Sequence, residues 1–432
     1  MMHFMNESKK TFYGLGIAPG ILEILTKLKY TSPTPIQEQS IPIAIEGKDL
    51  MGIAQTGTGK TLAFGIPLIQ HVLHEKGPGL VIAPTRELAL QIDETLRKVG
   101  APLNLKTAVL IGGEPIFKQI KDIRKNPQVI IGTPGRIIDH MEQKTISLKN
   151  VSVLVLDEAD RMLDMGFAPQ LKRILPVLPR ERQTMLFSAT MPVEIISIAK
   201  AYLKLPITVE IARSGTLVKE VTQELFFVQQ EQKPLLLEKI LQEYKGSVLV
   251  FSRTKHGARK ISGLVRALGH NSAEIHGNRS LGQRKDALEG FKTGKYRVLV
   301  ATDIAARGID VNNIELVLNY DLPQNAEDYV HRIGRTARAG SGGHAISFAR
   351  PNQASEIRTI ERLIRKTLPV SKIPELPPPL TFKYKVEATP QYTGRFAPRK
   401  PREPFHSRGR SNSRFGEKRP RPTHSRFSRG RR

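Results

Sequence analysis

Val151-Ser152-Val153-Leu154-Val155-Leu156 is a nearly unbroken apolar run that stops at Asp157-Glu158-Ala159-Asp160. A continuous rather than alternating run fits an interior strand of a parallel sheet covered on both faces. Upstream, Ala54-Gln55-Thr56-Gly57-Thr58-Gly59-Lys60-Thr61 follows another short apolar run and precedes a helix-period stretch from Leu62. Strand, glycine-containing loop and helix in that order are the setting a phosphate-binding loop requires. Successive backbone N–H groups of such a loop hold phosphate oxygens, and the helix N-terminus adds positive potential. Taken alone, the acidic stretch reads more readily as a solvated helix start favoured by the helix dipole. Ligands in open α/β sheets bind at the carboxyl ends of strands, so the loop and the acids together form two halves of a nucleotide-hydrolysing site.

Similar runs repeat on either side. The first series is Asp49–Ala54, Leu80–Ala83, Ala108–Ile111, Val129–Ile131, Val151–Leu156 and Thr184–Phe187. The second is Leu225–Val228, Val248–Phe251, Val298–Ala301, Leu316–Leu318 and Ala345–Phe348. Between them Ala258, Ile261, Leu264, Val265 and Leu268 recur at helical spacing. The pattern predicts an α/β protein with two tandem, mostly parallel sheets. Domain one spans 1–206, a linker without clear period 207–220, and domain two 221–370. Residues 371–432 are Pro-rich and then Arg/Gly/Ser-rich, a composition that cannot bury a core and predicts a disordered basic tail.

The chain has 432 residues, 67 Lys and Arg, 40 Asp and Glu, and a formal net charge of +27. Residues 371–432 carry 17 Lys and Arg against 4 Glu, net +13, which leaves +14 for the rest. A basic body with a more basic tail points to a polyanion, of which nucleic acid is the commonest. Solubility or attraction to a membrane surface is the competing explanation. Cysteine is absent, which excludes disulfides and Cys-ligated zinc and suits a reducing compartment. Met1–Lys10 has no apolar signal core and no stretch reaches about 18 uninterrupted apolar residues. A soluble, cytoplasmic protein with no membrane association is expected.

Chemistry assigns roles within the first site. Lys60 reaches the β- and γ-phosphates, and the Thr61 hydroxyl can ligate Mg²⁺. Ala54 stands where the generic loop has Gly, so the match is not to the strict form. Asp157 is placed to hold Mg²⁺ through water, and Glu158 to orient and deprotonate the attacking water.

With these residues in place, the chain over about residues 12–370 resembles the DEAD-box family of ATP-dependent RNA helicases. The resemblance implies two RecA-like domains, ATP and Mg²⁺ as cofactors, and RNA as substrate. Met162-Leu163-Asp164-Met165-Gly166-Phe167 and the short amino end look most like the bacterial RhlE-like branch. Thr34-Pro35-Ile36-Gln37 resembles the end of the adenine-reading segment, where the Gln37 amide can donate and accept at once. Tyr30 lies beside it, Phe12 takes the place of the aromatic that stacks on the base, and Lys29 replaces a usual Gly. By themselves Phe12 and Tyr30 read as core aromatics.

By the same resemblance, Pro84-Thr85-Arg86-Glu87-Leu88, Gly112-Gly113 and Thr133-Pro134-Gly135-Arg136 are first-domain contacts to the RNA backbone. Hydroxyls, glycine amides and Arg suit sugar–phosphate contacts that carry no sequence information. Ser188-Ala189-Thr190 implies a coupling motif bonded to the acidic one through Asp160. Ser252-Arg253-Thr254 and Gln283-Arg284 imply further RNA contacts, with Leu281, Leu288 and Phe291 on the buried side of a helix. Thr302-Asp303 and Arg307-Gly308-Ile309-Asp310 imply a bridge in which Thr302 faces RNA while Gly308 and Asp310 lie near the ribose. In His331-Arg332-Ile333-Gly334-Arg335-Thr336-Ala337-Arg338, residues His331, Arg335 and Arg338 share a helix face behind an Asn325/Asp328 cap, and Val330 and Ile333 face inward. Arg335 and Arg338 are the candidate arginine fingers.

The tail interleaves Phe396, Phe405, Phe415 and Phe427 with Arg-Gly steps, and reads as a nonspecific RNA tether or as an inert soluble extension. Two rivals remain beside the helicase reading: an RNA chaperone that makes no productive use of ATP, and a DNA helicase of the same superfamily. A monomer is expected. Ribosomal and mRNA-decay complexes, and cold adaptation, are settings the family allows.

Overall fold

The computed structural model describes residues 11–55, 57–74, 77–211, 221–306, 314–336 and 343–376. Thr56, Gly308, Asp310, Arg338, residues 212–220 and residues 377–432 lie outside the described residues.

Strands β1 (Leu50–Ile53), β2 (Gly79–Ile82), β3 (Thr107–Leu110), β4 (Val129–Gly132), β5 (Val153–Leu156), β6 (Gln183–Ser188) and β7 (Ile207–Glu210) form one sheet. Its order is β3-β4-β2-β5-β6-β1-β7, and neighbours pair in parallel. Strands β8 (Val221–Phe227), β9 (Val248–Phe251), β10 (Ser272–Ile275), β11 (Val298–Ala301), β12 (Leu316–Asn319) and β13 (Gly343–Ala349) form a second parallel sheet, ordered β10-β11-β9-β12-β13-β8.

The continuous apolar runs are explained by helices on both sheet faces. In β5, Val153 and Val155 enter a core with Phe64 and Ile92, while Leu154 and Leu156 enter another with Ile137 and Ile174. Burying each such side chain contributes roughly 1.5–3 kcal/mol. The helix marked by Ala258, Ile261 and Val265 spans Lys255–Ala267 and buries those three residues.

Every strand expected from an apolar run is present, within a few residues at its ends. Two strands had no such run, β7 and β10, and each lies at a sheet edge. Ser272-Ala273-Glu274-Ile275 is broken by a buried acid, Glu274, which pairs with Arg279. The linker expectation also needs correction at its start. Ile207–Glu210 pairs in register with Leu50–Ile53 and extends the first sheet. It escaped notice because an edge strand buries one face at most; here only Val209 is buried. The second domain likewise continues past 370, because Ser371 N–H donates to the Leu225 carbonyl and Ile373 and Leu376 pack on the core.

Candidate functional site

The strand order sorts the motifs. Strands β5, β6 and β1 are neighbours, and their carboxyl ends carry Asp157, Ser188 and the Ala54–Thr61 loop. Strands β3, β4 and β2 are also neighbours, and theirs carry Gly113, Thr133 and Thr85. One sheet edge is thus split into a half expected to hold the nucleotide and a half expected to hold RNA, called below the nucleotide half and the RNA half.

In the nucleotide half, Gly57 and Gly59 adopt φ +86° and +88°, which only glycine takes without strain. A Cβ on Gly59 would also strike the Gln37 side chain. The Thr58 hydroxyl closes the loop on the Gln55 carbonyl at 2.8 Å. Lys60 is buried at the start of the helix Lys60–His74, and its Nζ donates to the Ala54 carbonyl at 2.8 Å. The carboxylate of Asp157 is buried and accepts from the Glu158 N–H at 2.9 Å. Burial pushes Asp157 up to about 7, against the pull of Lys60. The buried carboxylate of Asp157 and the half-buried hydroxyl of Thr61 are oxygen donors of the kind that suits a hard divalent cation.

Glu158 occupies the left-handed region at φ 50°, ψ 52°, starting the helix Ala159–Asp164. Its carboxylate lies 3.5 Å from Arg161 Nε, and both side chains are enclosed. Asp160 Oδ2 accepts from the Ala189 N–H at 3.1 Å, the Thr190 N–H at 2.8 Å and the Thr190 hydroxyl at 2.9 Å. Ser188 Oγ accepts from the Asp160 N–H at 3.2 Å. The expected bonding between the acidic and Ser-Ala-Thr motifs is present in these four hydrogen bonds.

The adenine-reading segment differs from expectation. Phe12 is 4% exposed and belongs to the first core, so its ring offers no open stacking face, whereas adjacent Tyr13 is 69% exposed. Tyr30 is exposed. Gln37 spends its amide within the protein: Oε1 accepts from the Thr34 N–H at 3.0 Å and Nε2 donates to the Gly59 carbonyl at 3.0 Å. It therefore ties the segment to the phosphate loop. Lys29 sits at φ +62°, the left-handed region that glycine takes without strain. For a non-glycine residue it costs about 1–2 kcal/mol.

In the RNA half, Thr85 and Thr133 begin the helices Arg86–Gly100 and Pro134–Glu142, and Thr85 Oγ1 accepts from the Leu88 N–H. Pro84 is buried at the end of β2. The Arg86 guanidinium lies against Gly112 and Gly113, and Gly113 sits at φ +81°, where any side chain is strained. Arg136 is held by the Glu114 carbonyl at 3.0 Å, by Asp139 at 3.1 Å and by Gln119 Oε1 at 3.3 Å. Behind it the buried His140 meets Gln119 at 3.0 Å and Thr145 at 2.7 Å. Gln119 donates to the Ile111 carbonyl, so its Oε1 accepts and His140 carries its proton on Nε2.

The second domain meets both halves. Arg284 pairs with Glu87, and Leu281 joins the first domain's core rather than its own helix's cluster; Leu288 and Phe291 pack as expected. Thr302 is half-buried after β11. The backbone N–H of Arg253 donates to Asp321, whose carboxylate also meets the Ser252 hydroxyl and the buried Lys233. On the nucleotide side, one cavity is lined by Arg161, Asp303, His331 and Arg335, and an adjoining one by Gln55, Thr190, Val330 and His331.

The helix behind these residues is shorter than expected. It spans Ala326–Ile333, so Arg335 lies in the turn beyond it and shares no helix face with His331. Asn325 begins the helix, but its side chain makes no capping bond. Ile333 faces inward as expected, with Val330 only half-buried.

Sequence reading passed over the residue that anchors this motif. Arg332 grips Asp303 with two bonds of 2.5 and 2.7 Å, donates to Asn319 and to the Asp321 carbonyl, and lies 4.8 Å over the Phe251 ring. Only its place inside the His-Arg-Ile-Gly-Arg string could have singled it out. Glu87, His140, Gln119 and Arg161 were passed over in the same way.

Two helicase families of domain match the chain: DEAD/DEAH box helicase over residues 34–198 and helicase conserved C-terminal domain over 232–340. The ATP-dependent rRNA helicase RRP3 of Candida albicans is 44% identical over 364 residues, covering 83% of this chain and 68% of its own length. The rrp3 protein of Sclerotinia sclerotiorum is 45% identical over 347 residues, covering 79% and 72%. These relatives are fungal, and the expected bacterial RhlE-like branch is not supported. Among solved structures, S. cerevisiae Dbp5 bound to RNA and ADP BeF3 matches with TM-score 0.75 at 30% identity, covering 84% of this chain and 95% of that one. Mss116p bound to ssRNA and AMP-PNP matches with TM-score 0.76 at 26% identity, covering 83% and 78%. The chain belongs to the DEAD-box family of ATP-dependent RNA helicases.

Proposed function

We propose that this helicase works as a two-domain clamp in which one seating of the second domain completes both the ATP site and the RNA site. The observation that carries the reading is that the second domain touches both halves of the first sheet's edge. Arg284 meets Glu87 on the RNA side, while His331 and Arg335 share cavities with Arg161 and Thr190 on the nucleotide side. Each ligand then favours the arrangement the other needs.

Within the clamp, Lys60 and the amides of residues 54–61 hold the phosphates, and Gln37 keeps the adenine segment against that loop. Thr61 and Asp157 hold Mg²⁺, which supplies charge neutralisation on the phosphate oxygens. Glu158 takes the proton of the attacking water as its oxygen bonds to the γ-phosphorus and the bond to the β-phosphate oxygen breaks. Arg335 and Arg338 neutralise the charge that develops. Asp160, Ser188 and Thr190 pass the change to the RNA half. There Pro84, Thr85, Arg86, Gly113, Thr133, Arg136, Arg253, Arg284 and Thr302 hold one strand by its backbone. Gly308 and Asp310 lie near the ribose.

The names of the relatives support structured ribosomal RNA as the substrate class. The absence of cysteine supports a reducing compartment such as the cytoplasm. ATP turnover measured with and without RNA tests the clamp: stimulation of at least tenfold is expected, and equal rates refute it. Duplex RNA is expected to be unwound in preference to DNA, and crosslinking of bound RNA in cells identifies the target.

A further inference from the structure

Among the described residues Arg161 is one of the largest fully buried side chains, with 1% of it exposed. It stands one helical turn beyond Glu158, and its Nε lies 3.5 Å from the Glu158 carboxylate. Its other two nitrogens, Nη1 and Nη2, are buried without a hydrogen-bond partner, as is Glu158 Oε2. Guanidinium nitrogens stripped of water and left unbonded are costly, on the order of 1–3 kcal/mol for each group. A group kept buried and unbonded in a folded protein points to a catalytic role or to a ligand that completes it.

Its surroundings belong to the hydrolysis site. Arg161 is the first domain's contribution to a cavity whose other walls include Asp303, Asp328, His331, Arg332 and Arg335 of the second. Asp303 is already gripped by Arg332 through two bonds. Three guanidiniums and the carboxylate of Asp328 therefore border the space beside the paired Asp303, and Glu158 is the acid that faces Arg161 from its own domain. Glu158 itself sits in the left-handed region, which a residue with a side chain occupies only when its surroundings hold it there.

We infer that Arg161 is a positioning residue for hydrolysis. Through Nε it holds the Glu158 carboxylate in place, from a side chain that also lines the cavity shared with His331 and Arg335 of the second domain. The inference rests on Glu158 being the base. Arg161 thereby acts on the attacking water's acceptor, separately from what Arg335 and Arg338 do to the phosphate.

The test is steady-state ATP turnover by the full chain with saturating poly(A) RNA, for R161Q, R161K and E158Q. R161Q is expected to lower kcat at least thirtyfold while KM for ATP and half-saturation by RNA stay within about twofold. R161K restores a charge opposite Glu158 but offers one group in place of a fork. It is expected at least fivefold above R161Q and at least threefold below the unaltered protein. An R161Q kcat within twofold of the unaltered value overturns the inference, as does a loss confined to KM, or R161K no better than R161Q. Should R161Q fail to fold, R161K decides by itself, and a kcat equal to that of the unaltered protein overturns it. Normal turnover by E158Q sinks the base assignment instead, whereas an inactive E158Q with a normal R161Q sinks only the role of Arg161.

Discussion

Glu87 of the first domain and Arg284 of the second form an ion pair at 2.9 Å, with side-chain exposures of only 8% and 10%. Arg86, next in sequence, contacts the Gly112-Gly113 turn. Two arginines assigned to RNA thus flank one carboxylate. Burial lowers the Arg284 pKa from its usual value, and Glu87 opposes that shift. The pair joins the domains at the RNA edge.

If the pair holds the closed clamp, Glu87→Gln and Arg284→Gln each raise the RNA concentration for half-maximal ATPase, by roughly tenfold, and the double variant is no worse than either. Contacting residues couple by about 0.5–3 kcal/mol, so additive losses in the double-variant cycle count against the pair.

Asp160 receives three donors from Ala189 and Thr190 on a single oxygen. Asp160→Asn keeps the shape but weakens acceptance by a charged group, worth about 1.5–3 kcal/mol per bond. Duplex unwinding is expected to fall at least tenfold while ATP affinity changes little. Parallel unwinding and nucleotide-binding assays check this, and equal losses in both remove Asp160 from the coupling path.

His140 is buried behind Arg136, and burial first, then Arg136, lowers its pKa from 6.5. A group depressed on folding contributes stability that is present above its unfolded pKa and lost as pH falls through the folded one. Melting temperature is therefore expected to drop as pH goes from 7 to about 5. In His140→Gln that slope is shallower. Identical slopes in thermal melts place the acid sensitivity elsewhere.

Residues 377–432 hold 16 Lys and Arg against 3 Glu, whereas Ser371–Leu376 belongs to the second domain's packing. Truncation after 376 is expected to preserve the melting temperature and to flatten the salt dependence of RNA binding, since each phosphate contact to a single strand adds about 0.7 to the slope. Truncation after 370 also lowers the melting temperature. An unchanged salt slope makes the tail a passive extension.

Much of this protein is legible locally. Interior strands such as Val153–Leu156 announce themselves because both faces are buried, so every residue is apolar. Edge strands such as Ile207–Glu210 do not, because one-sided burial leaves no continuous run. The aromatic Phe12 shows the limit of carrying a role by position: a ring that packs in a core and one that stacks on a base are the same letter.

The sequence by itself determined the chemistry. A lysine after a glycine loop, acids where a strand ends and arginines in a second sheet are local patterns whose meaning follows from phosphate charge and strand geometry. Only the tertiary structure decided which of them act together. Strand order, set by packing between residues far apart in the chain, placed β5, β6 and β1 side by side and gathered the RNA loops on β3, β4 and β2. Helical spacing puts Arg161 beside Glu158, but only the packing of the two domains put it in one cavity with Arg335, a relationship no spacing along the chain encodes.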